Sequence, residues 1–326
     1  MQVLAESSHQ EGWLAASDGV RLYARWWRPS GAPKAIICLI HGGGEHSGRY
    51  AHVAQALTRS GYLVGAVDLR GHGRSPGRRL FVRSFDEYLT DVRSLLSQAA
   101  TEAPGTPVFL LGHSLGGLIA TTFVIAERPA IAGLVLSGPF LEIGQGISKT
   151  GRRLAPIMGR LFPTLTLANA LDTTAVSRVP EVVSAYATDP LVHHGGIPLR
   201  TGAEVMKAIA KTDAHMAELQ VPLLIFHGTA DRLAAVDGSR RLYARASSSD
   251  KTLRLCEGLF HEVFNEPERE ILLGELVEWL DGHIAIPGPA RGRSLTMPPD
   301  TSARQGPNRL ACGSPPSGWL ESRATR

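Results

Sequence analysis

The sequence predicts an α/β fold in which helices flank a mostly parallel central sheet and a helical insertion interrupts the alternation. Three observations lead to this prediction. Short apolar runs alternate with segments of helical periodicity over residues 20–285, as expected when helices cover both faces of a sheet. One run leads directly into a Gly-rich turn and a helix-like stretch at residues 108–128. About eighty residues, 139–220, contain no convincing strand, which is too long for a loop in a compact domain.

The predicted strands are of two kinds. Residues 20–27 (VRLYARWW) alternate with period two, as expected of a half-buried antiparallel edge strand. The remaining strands are short and apolar on both faces, which is typical of parallel strands covered by helices. They span residues 35–40, 62–68, 108–112, 133–137, 223–227 and 252–256.

Two helices can be placed with their ends. Ser84 followed by Glu87 forms a capping-box pattern, and apolar residues at helical spacing run through residues 85–99. A Pro-Gly pair at 104–105 ends this helix. The second helix spans residues 269–281, after the last predicted strand.

Four segments follow from this pattern. Residues 12–138 and 221–285 are expected to form the two parts of one core. Residues 139–220, termed the insertion, are expected to form a mainly helical lid over the carboxyl ends of the strands. Residues 286–326 are rich in Pro, Gly, Ser and Arg and have no apolar periodicity, so we expect them to be disordered.

The net charge of +4 comes from the C-terminal segment. Six of the 34 basic and two of the 30 acidic residues lie in residues 287–326, which leaves 28 of each kind in residues 1–286. A formally neutral body without a long basic stripe argues against nucleic-acid binding, because phosphate neutralisation supplies that affinity.

We expect neither a membrane span nor a signal peptide. The longest apolar run, residues 35–40, is far shorter than the ~18 residues of a spanning helix, and residues 1–12 lack a basic start and an apolar stretch. Cys38, Cys256 and Cys312 have neither disulfide-framework nor zinc-site spacing. The expected location is therefore the reducing cytoplasm.

Ser114 is the candidate nucleophile. It is the central residue of GHSLG (112–116), a G-x-S-x-G pattern between a predicted strand and a helix-like segment. A serine on such a sharp turn has a strained backbone, and the helix N-terminus favours negative charge beside it. The pattern alone is common by chance, so its position between strand and helix carries the prediction; the alternative is a structural glycine turn.

A serine hydroxyl needs a histidine to take its proton and an acid to orient that histidine. Asp231 follows the predicted strand at 223–227, and His261 follows the one at 252–256. Strand ends deliver both residues to the same edge of the sheet as Ser114. The order Ser, Asp, His along the chain is that of an α/β-hydrolase.

Other candidates for these roles are weaker. Asp237 competes with Asp231, but it lies at a predicted helix start, where capping is its ordinary role. His41, His113 and His227 lie at strand ends or turns, where packing or hydrogen bonding is the more ordinary function. The pair at 193–194 suits a solvated loop. No metal-ligand spacing appears, so no metal site is expected.

An oxyanion hole completes the predicted site. Gly43, in the Gly-rich segment after the strand at 35–40, and Leu115, directly after the serine, are the predicted N–H donors. The same Gly-rich segment lacks the G-x-G-x-x-G pattern and the acidic residue ~20 positions further on that dinucleotide binding requires. No cofactor is expected.

Six motifs together resemble the monoacylglycerol lipase family, most closely its bacterial, mycobacterial-type members. They are HGGGEHSGRY (41–50), DLRGHGRSPGRR (68–79), GHSLGG (112–117), YATDPLVHHG (186–195), HGTADRL (227–233) and GLFHEVFNEPE (258–268). The resemblance covers residues 12–284. It implies an α/β-hydrolase fold, the catalytic triad and oxyanion hole described above, and release of a fatty acid and glycerol from a monoacylglycerol.

The resemblance also implies that Glu45, Arg49, His113 and Tyr186 lie near the glycerol headgroup. Glu45 and Arg49 could instead cap and pair at the helix that begins nearby. Phe264 departs from the family pattern, because some members have a second histidine at this position. This departure concerns headgroup selectivity and not the reaction.

The insertion contains an apolar helical pattern that suits a lipid substrate. Ile157, Met158 and Leu161 are predicted to line a slot for a long acyl chain. Beside the basic pair at 152–153, the same apolar helix could make transient contact with a membrane or another lipid interface. Packing within the insertion is the alternative for each of these residues.

The leading hypothesis is a serine esterase that cleaves monoacylglycerol through an acyl-enzyme on Ser114. Within the same chemistry the alternatives are a lysophospholipase, a broad carboxylesterase or a cofactor-free perhydrolase. The alternative from a different class is a non-catalytic α/β-hydrolase scaffold that binds a small ligand or a protein partner. A scaffold need not keep all three members of the triad, which are all present here.

Overall fold

The computed structural model describes residues 9–142, 149–167 and 172–284. These ranges contain ten strands and eight α-helices. The strands are β1 His9–Ala15, β2 Arg21–Trp27, β3 Ile36–Ile40, β4 Leu63–Val67, β5 Val108–His113, β6 Gly133–Ser137, β7 Thr166–Leu167, β8 Ile197–Pro198, β9 Leu223–Gly228 and β10 Lys251–Cys256. The helices are α1 Ala51–Arg59, α2 Asp86–Glu102, α3 Leu115–Glu127, α4 Lys149–Leu161, α5 Pro180–Thr188, α6 Leu199–His215, α7 Val236–Arg245 and α8 Arg269–Gly282.

Eight of the strands form one sheet in the order β1-β2-β4-β3-β5-β6-β9-β10. β2 pairs antiparallel with β1 and with β4, and all other neighbouring pairs in this sheet are parallel. The predicted mostly parallel α/β sheet is therefore confirmed. Because β5 lies in the middle of the parallel strands, the turn that follows it lies at the centre of their carboxyl edge.

The antiparallel strand predicted at residues 20–27 is present, but the expectation that it is a half-buried edge strand is wrong. β1 pairs along the whole of β2 and takes the edge position. Six of the seven residues of β2 are buried. The polar Arg25 is satisfied by protein partners instead of solvent, since its guanidinium donates to Glu11 of β1 and to Asp68, each at 3.1 Å. The alternating pattern therefore marks a polar network and not a solvated face.

Helices cover both faces of the sheet. In β3, Ile36, Cys38 and Ile40 pack in the cluster that includes α2 and α3 residues, whereas Ile37 and Leu39 pack in the cluster that includes α1 and α8 residues. All five side chains are at most 1% exposed. Successive residues of a strand point to opposite faces, so a strand between two helix layers is apolar at every position.

The predicted caps of α2 are present in a shifted form. The Ser84 hydroxyl accepts a hydrogen bond from the N–H of Asp86 at 3.3 Å, and the Glu87 carboxylate accepts one from the N–H of Arg83 at 3.3 Å. Each bond is made one residue earlier than in the reciprocal capping box. The same two side chains therefore satisfy N–H groups at the start of this helix.

The insertion contains α4, α5 and α6 and a short antiparallel pair of strands, β7 and β8. Its last part packs against the core. The Thr122 hydroxyl of α3 and the Thr212 hydroxyl of α6 are 2.7 Å apart, and Ala208, Met216 and Leu219 belong to the same apolar cluster as α2 and α3. The second half of α6 and the residues after it therefore pack against the helices that cover the sheet.

Helix α4 lies on α6 through a close contact at Gly159. A Cβ atom at this position would be 2.9 Å from the Leu199 carbonyl oxygen and 3.1 Å from the Ala203 Cβ. The absence of a side chain lets the two helices approach closely. Residues 143–148 and 168–171 of the insertion, and the C-terminal segment predicted to be disordered, lie outside the described residues.

Candidate active site

Ser114 lies on the turn between β5 and α3. Its backbone has φ 51° and ψ −117°, a conformation that is strained for a residue other than glycine. Its N–H donates to the Ser137 carbonyl at 3.1 Å, and its carbonyl accepts from the N–H of Phe140 at 2.9 Å. These bonds to the end of β6 and the residues after it hold the turn in place.

Two glycines of the G-x-S-x-G pattern are required by close backbone contacts. A Cβ on Gly112 would lie 2.5 Å from the Gly116 carbonyl oxygen, and a Cβ on Gly116 would lie 2.2 Å from the Ile40 carbonyl oxygen. Neither distance is compatible with a side chain. The pattern therefore reflects the path of three backbone segments around Ser114.

Asp231 and His261 are in direct contact. Asp231 follows β9 and His261 follows β10, and their Oδ2 and Nδ1 atoms are 2.7 Å apart. The Asp231 Oδ1 accepts the N–H groups of Leu233 and Ala234 at 2.8 and 2.9 Å. His261 and Ser114 line the same cavity. With Nδ1 donating to Asp231, the Nε2 atom of His261 is left to accept a proton.

Asp231 and His261 each stabilise the charged form of the other. Burial alone would raise the pKa of Asp231, but the charge of His261 and hydrogen bonds from His227 and His261 hold it well below its usual range. Burial is the largest single effect on the pKa of His261 and would lower it, but the charge of Asp231, the hydrogen bond to Asp231 and the charges of Glu262 and Glu45 together raise it above the ordinary value. The pair therefore has the arrangement of an oriented general base.

The competing residues lie elsewhere or serve other contacts. Asp237 is exposed and pairs with Arg240 at 2.8 Å. The buried His227 has its Nε2 3.2 Å from the Asp231 Oδ2 and its Nδ1 2.7 Å from the Ser239 hydroxyl. His227 thus contacts the carboxylate of Asp231 and stabilises it.

Gly43 and Leu115 lie side by side next to the turn. A Cβ on Gly43 would be 3.3 Å from the Leu115 Cδ2. Within the described residues, neither backbone N–H donates to a protein acceptor. Two N–H groups without a partner beside a nucleophile are what a developing oxyanion requires.

Glu45 is buried and its carboxylate is fully engaged. Its Oε1 accepts the N–H of Gly42 and the hydroxyl of Tyr50, each at 2.6 Å, and its Oε2 accepts from Arg49 at 2.5 Å. Burial would raise the pKa of Glu45, but the Arg49 charge contributes most to lowering it to about 2. The geometry therefore favours the alternative in which Glu45 pairs with Arg49. Through the N–H of Gly42, Glu45 also holds the Gly-rich segment that precedes it in the chain.

Arg49 joins this segment to the loop of His261. Its two terminal nitrogens donate to the two carboxylate oxygens of Glu262 at 2.6 and 2.8 Å, and its guanidinium carbon lies 4.5 Å from the centroid of the Tyr186 ring. Glu262 is not among the residues that the sequence predicts for the site. Its position directly after His261 in GLFHEVFNEPE was the signal that could have found it.

A small cavity lies between these parts. It has a volume of about 50 Å³ and is lined by Ser114 and His261 together with Gly43, His113 and Tyr186. The His113 ring centroid is 4.7 Å from that of His261, and burial and the nearby His261 lower the pKa of His113 to about 4. The cavity is much smaller than the ~300 Å³ or more of a typical ligand site.

The apolar residues predicted to form an acyl slot are not at this cavity. Ile157 and Leu161 on α4 are 55% and 64% exposed. Met158 is half-buried. None of the three is among the described residues that line the cavity around Ser114.

In residues 9–142, 149–167 and 172–284, no group of three or more His, Cys, Asp or Glu side chains is arranged to hold a metal ion. No helix there is long and apolar enough to cross a membrane.

The fold and the arrangement of Ser114, His261 and Asp231 define the class of the protein as an α/β-hydrolase with the residues of a serine hydrolase. Known proteins support this class. The profile of the family described as "Serine aminopeptidase, S33" matches residues 31–268. The chain is 40% identical over 281 residues to a monoacylglycerol lipase of Mycolicibacterium smegmatis, covering 86% of this chain and all of that protein.

Two more relatives are also monoacylglycerol or monoglyceride lipases. Human monoglyceride lipase is 37% identical over 281 residues, which are 85% of this chain and 92% of that protein. The crystal structure of Paleococcus ferrophilus monoacylglycerol lipase superimposes with a TM-score of 0.73 at 35% identity, covering 80% of this chain and 99% of that chain. The chain therefore belongs to the α/β-hydrolase family whose profile matches residues 31–268, and within it to the group of the monoacylglycerol lipases. It is a hydrolase of the lipase and esterase type.

Proposed function

We propose that the protein hydrolyses monoacylglycerol to a free fatty acid and glycerol through an acyl-enzyme on Ser114. The observation that carries the proposal is the contact between His261 and Asp231 at 2.7 Å, with His261 and Ser114 lining one cavity. The two similar lipases named for monoacylglycerol or monoglyceride, at 40% and 37% identity over most of the chain, support the choice of substrate.

The reaction follows from the positions of these groups. Ser114 Oγ attacks the ester carbonyl while His261 Nε2 takes its proton, and Asp231 stabilises the imidazolium that forms. The N–H groups of Gly43 and Leu115 bind the oxyanion. His261 then gives the proton to the leaving glycerol oxygen. In the second half His261 removes a proton from water, which attacks the acyl carbonyl. The bond to Ser114 Oγ then breaks, the fatty acid is released, and His261 returns the proton to Ser114 Oγ.

The headgroup contacts fall into two groups. His113 and Tyr186 line the cavity beside His261, and we assign them to the leaving glycerol. Glu45 also lines this cavity, but its carboxylate oxygens already accept hydrogen bonds from Gly42, Tyr50 and Arg49. Glu45 and Arg49 therefore act by holding the Gly-rich segment and the Tyr186 ring, not by offering free charges to the glycerol.

An exposed apolar surface formed by α4 and the turn that follows it is assigned to contact with a lipid surface. Ile157, Leu161, Phe162 and Leu165 are 51–64% exposed, whereas isolated large apolar side chains on a soluble surface are usually scattered. Contact with a bilayer would remove this face from water and bring the insertion to the source of its substrate. The segment before α6 is thus proposed to act as the lid.

Fatty-acid release from a panel of esters tests the proposed function. Monoacylglycerol is expected to be hydrolysed fastest, ahead of diacylglycerol, triacylglycerol, lysophosphatidylcholine and a short soluble ester. Ser114→Ala is expected to lower kcat by about 10⁴ to 10⁶-fold without loss of secondary structure by circular dichroism. Ser97→Ala, on the exposed face of α2, is the matched control and should keep wild-type turnover.

Two results would contradict the proposal. If lysophosphatidylcholine or the short ester is preferred by a wide margin, the substrate is wrong. If Ser114→Ala retains turnover, or if a serine-reactive fluorophosphonate fails to label the wild-type protein at Ser114, the mechanism is wrong.

A further inference from the structure

Glu262 is part of a buried ionic bridge that connects two loops of the candidate site. Arg49 donates to Glu262 at 2.6 and 2.8 Å and to Glu45 at 2.5 Å. The side chains of Arg49, Glu45 and Glu262 are 10%, 3% and 6% exposed. Glu45 in turn holds the N–H of Gly42 at 2.6 Å. The bridge therefore runs from the segment of the oxyanion hole to the residue next to His261.

Glu262 lines the cavity together with Ser114 and His261, and its carboxylate is held there by hydrogen bonds from within the protein. One of its oxygens accepts from Arg49 alone, and the other accepts from Arg49 and from the side-chain amide of Asn265 at 2.8 Å. These hydrogen bonds fix the carboxylate, so that Glu262 positions the residues it contacts and places its charge beside His261.

The bridge carries one uncompensated negative charge beside the imidazole, because it contains two carboxylates and one guanidinium. Among the described residues, the other ionisable groups that contact His261 or line its cavity are Asp231 from the end of β9, His113 from the end of β5 and Tyr186 of α5. His227 lies behind Asp231 at 3.2 Å. Since His113 has its pKa lowered to about 4, it is neutral at pH 7 and does not cancel this charge.

We propose that Glu262 is a positioning residue for His261, which ties the histidine loop to the oxyanion segment through Arg49 and makes the imidazole a stronger base. The proposal rests on the serine chemistry proposed above but not on the identity of the ester. Charge interactions with Glu262 and Glu45 act on the His261 pKa in the same direction as the larger one with Asp231. A negative charge in a site shielded from water stabilises the imidazolium of the transition state.

The pH profile of Glu262→Gln is the test. The profile of kcat/KM is measured with a short soluble ester, and the rate of inactivation by a neutral fluorophosphonate is measured over the same pH range. His261 must be neutral to accept the serine proton, so a lower pKa moves the acid limb to lower pH. We expect this shift in both profiles, together with a fall of about tenfold in the plateau, because a weaker base transfers the proton less readily.

Two further variants separate charge from structure. Glu262→Asp keeps the charge but shortens the side chain, so its acid limb should stay near the wild-type position even if its Tm falls. Glu266→Gln changes another buried carboxylate of the same loop, which pairs with Arg178 at 2.9 Å. It should lower the Tm without moving the acid limb.

The proposal is overturned if the acid limbs of Glu262→Gln and the wild type coincide, or if Glu266→Gln moves the limb equally. Should Glu262→Gln fail to fold, an acid limb of Glu262→Asp shifted to lower pH would overturn it as well. A protein that leaves monoacylglycerol intact but reacts with the fluorophosphonate contradicts the proposed substrate only, because both pH profiles use probes without glycerol.

Discussion

At the residue scale, the candidate site depends on places where backbone approaches backbone. The backbone of Gly116, in the turn that carries Ser114, passes close to the Ile40 and His41 carbonyls at the end of β3. The turn fits there only because Gly116 has no side chain. A side chain can rotate away from a contact, but strand carbonyls in the middle of a sheet cannot. The two glycines beside Ser114 are therefore needed for folding as well as for chemistry.

Gly116→Ala tests this requirement. The added Cβ would lie 2.2 Å from the Ile40 oxygen and 2.5 Å from the His41 oxygen, so we expect the free energy of unfolding to fall by about 3 kcal/mol or more. Urea denaturation measures the change. The matched control is Gly274→Ala in α8, where a Cβ meets no atom within 4 Å. It should raise the stability by about 0.5–1 kcal/mol. Equal effects of the two variants would contradict the expected clash.

At the element scale, α4 presents opposite faces to two environments. Gly159 faces α6, where a Cβ would come within 2.9 Å of the Leu199 oxygen. Ile157 and Leu161 are 55% and 64% exposed. A helix whose apolar residues point outward gains little folding stability from them, because they are not removed from water on folding. These residues are therefore free to serve an intermolecular contact.

Replacement of both residues, Ile157→Ser with Leu161→Ser, tests the contact with a lipid surface. Cosedimentation with phosphatidylglycerol vesicles is expected to weaken by about tenfold or more, because two apolar side chains are lost from the contact. The Tm and the turnover of a short soluble ester should stay near wild type. Ile271→Ser on α8 is the control, since Ile271 is also 64% exposed. Equal weakening by the control would show that the contact does not depend on α4.

At the scale of the whole molecule, the burial of neutral histidines links stability to pH. Burial is the largest cause that lowers the pKa of His72 to about 3 and that of His113 to about 4. Both values lie below the ordinary value of about 6.5. The unfolded chain therefore binds more protons than the folded protein between pH 4 and 6.5. The stability from these groups is fully present above pH 6.5 and is lost as the pH falls toward 4.

The variant His72→Asn tests this linkage. An asparagine can keep the hydrogen bond that the ring Nδ1 makes with the Arg70 carbonyl at 2.9 Å. The slope of unfolding free energy against pH, measured by urea denaturation from pH 4 to 6.5, should decrease by up to about 1.4 kcal/mol per pH unit. His261, whose pKa is raised, acts in the opposite sense and above this window. The exposed His215→Asn is the control, and an equal change in its slope would contradict the prediction.

The sequence by itself determined the parallel strands and the order of the three candidate catalytic residues. Strands such as β3 are apolar at every position because both faces are covered, and this local signal survives any arrangement of the rest of the chain. Ser114, Asp231 and His261 follow strands whose ends meet at one edge of the sheet. Their proximity is thus a consequence of strand direction, which the alternation of strands and helices already implies.

Only the tertiary structure decided which polar residues pair and where the insertion packs. Glu262 is an ordinary acidic residue in the sequence, and its pairing with Arg49 joins positions 213 residues apart. β1 is a polar strand with no alternating signal, and it is stabilised by its register with β2. The position of α4 also depends on its contact with α6, so Ile157 and Leu161 could not be assigned a side from their spacing alone. Such contacts are decided by packing between distant segments, which a local pattern does not contain.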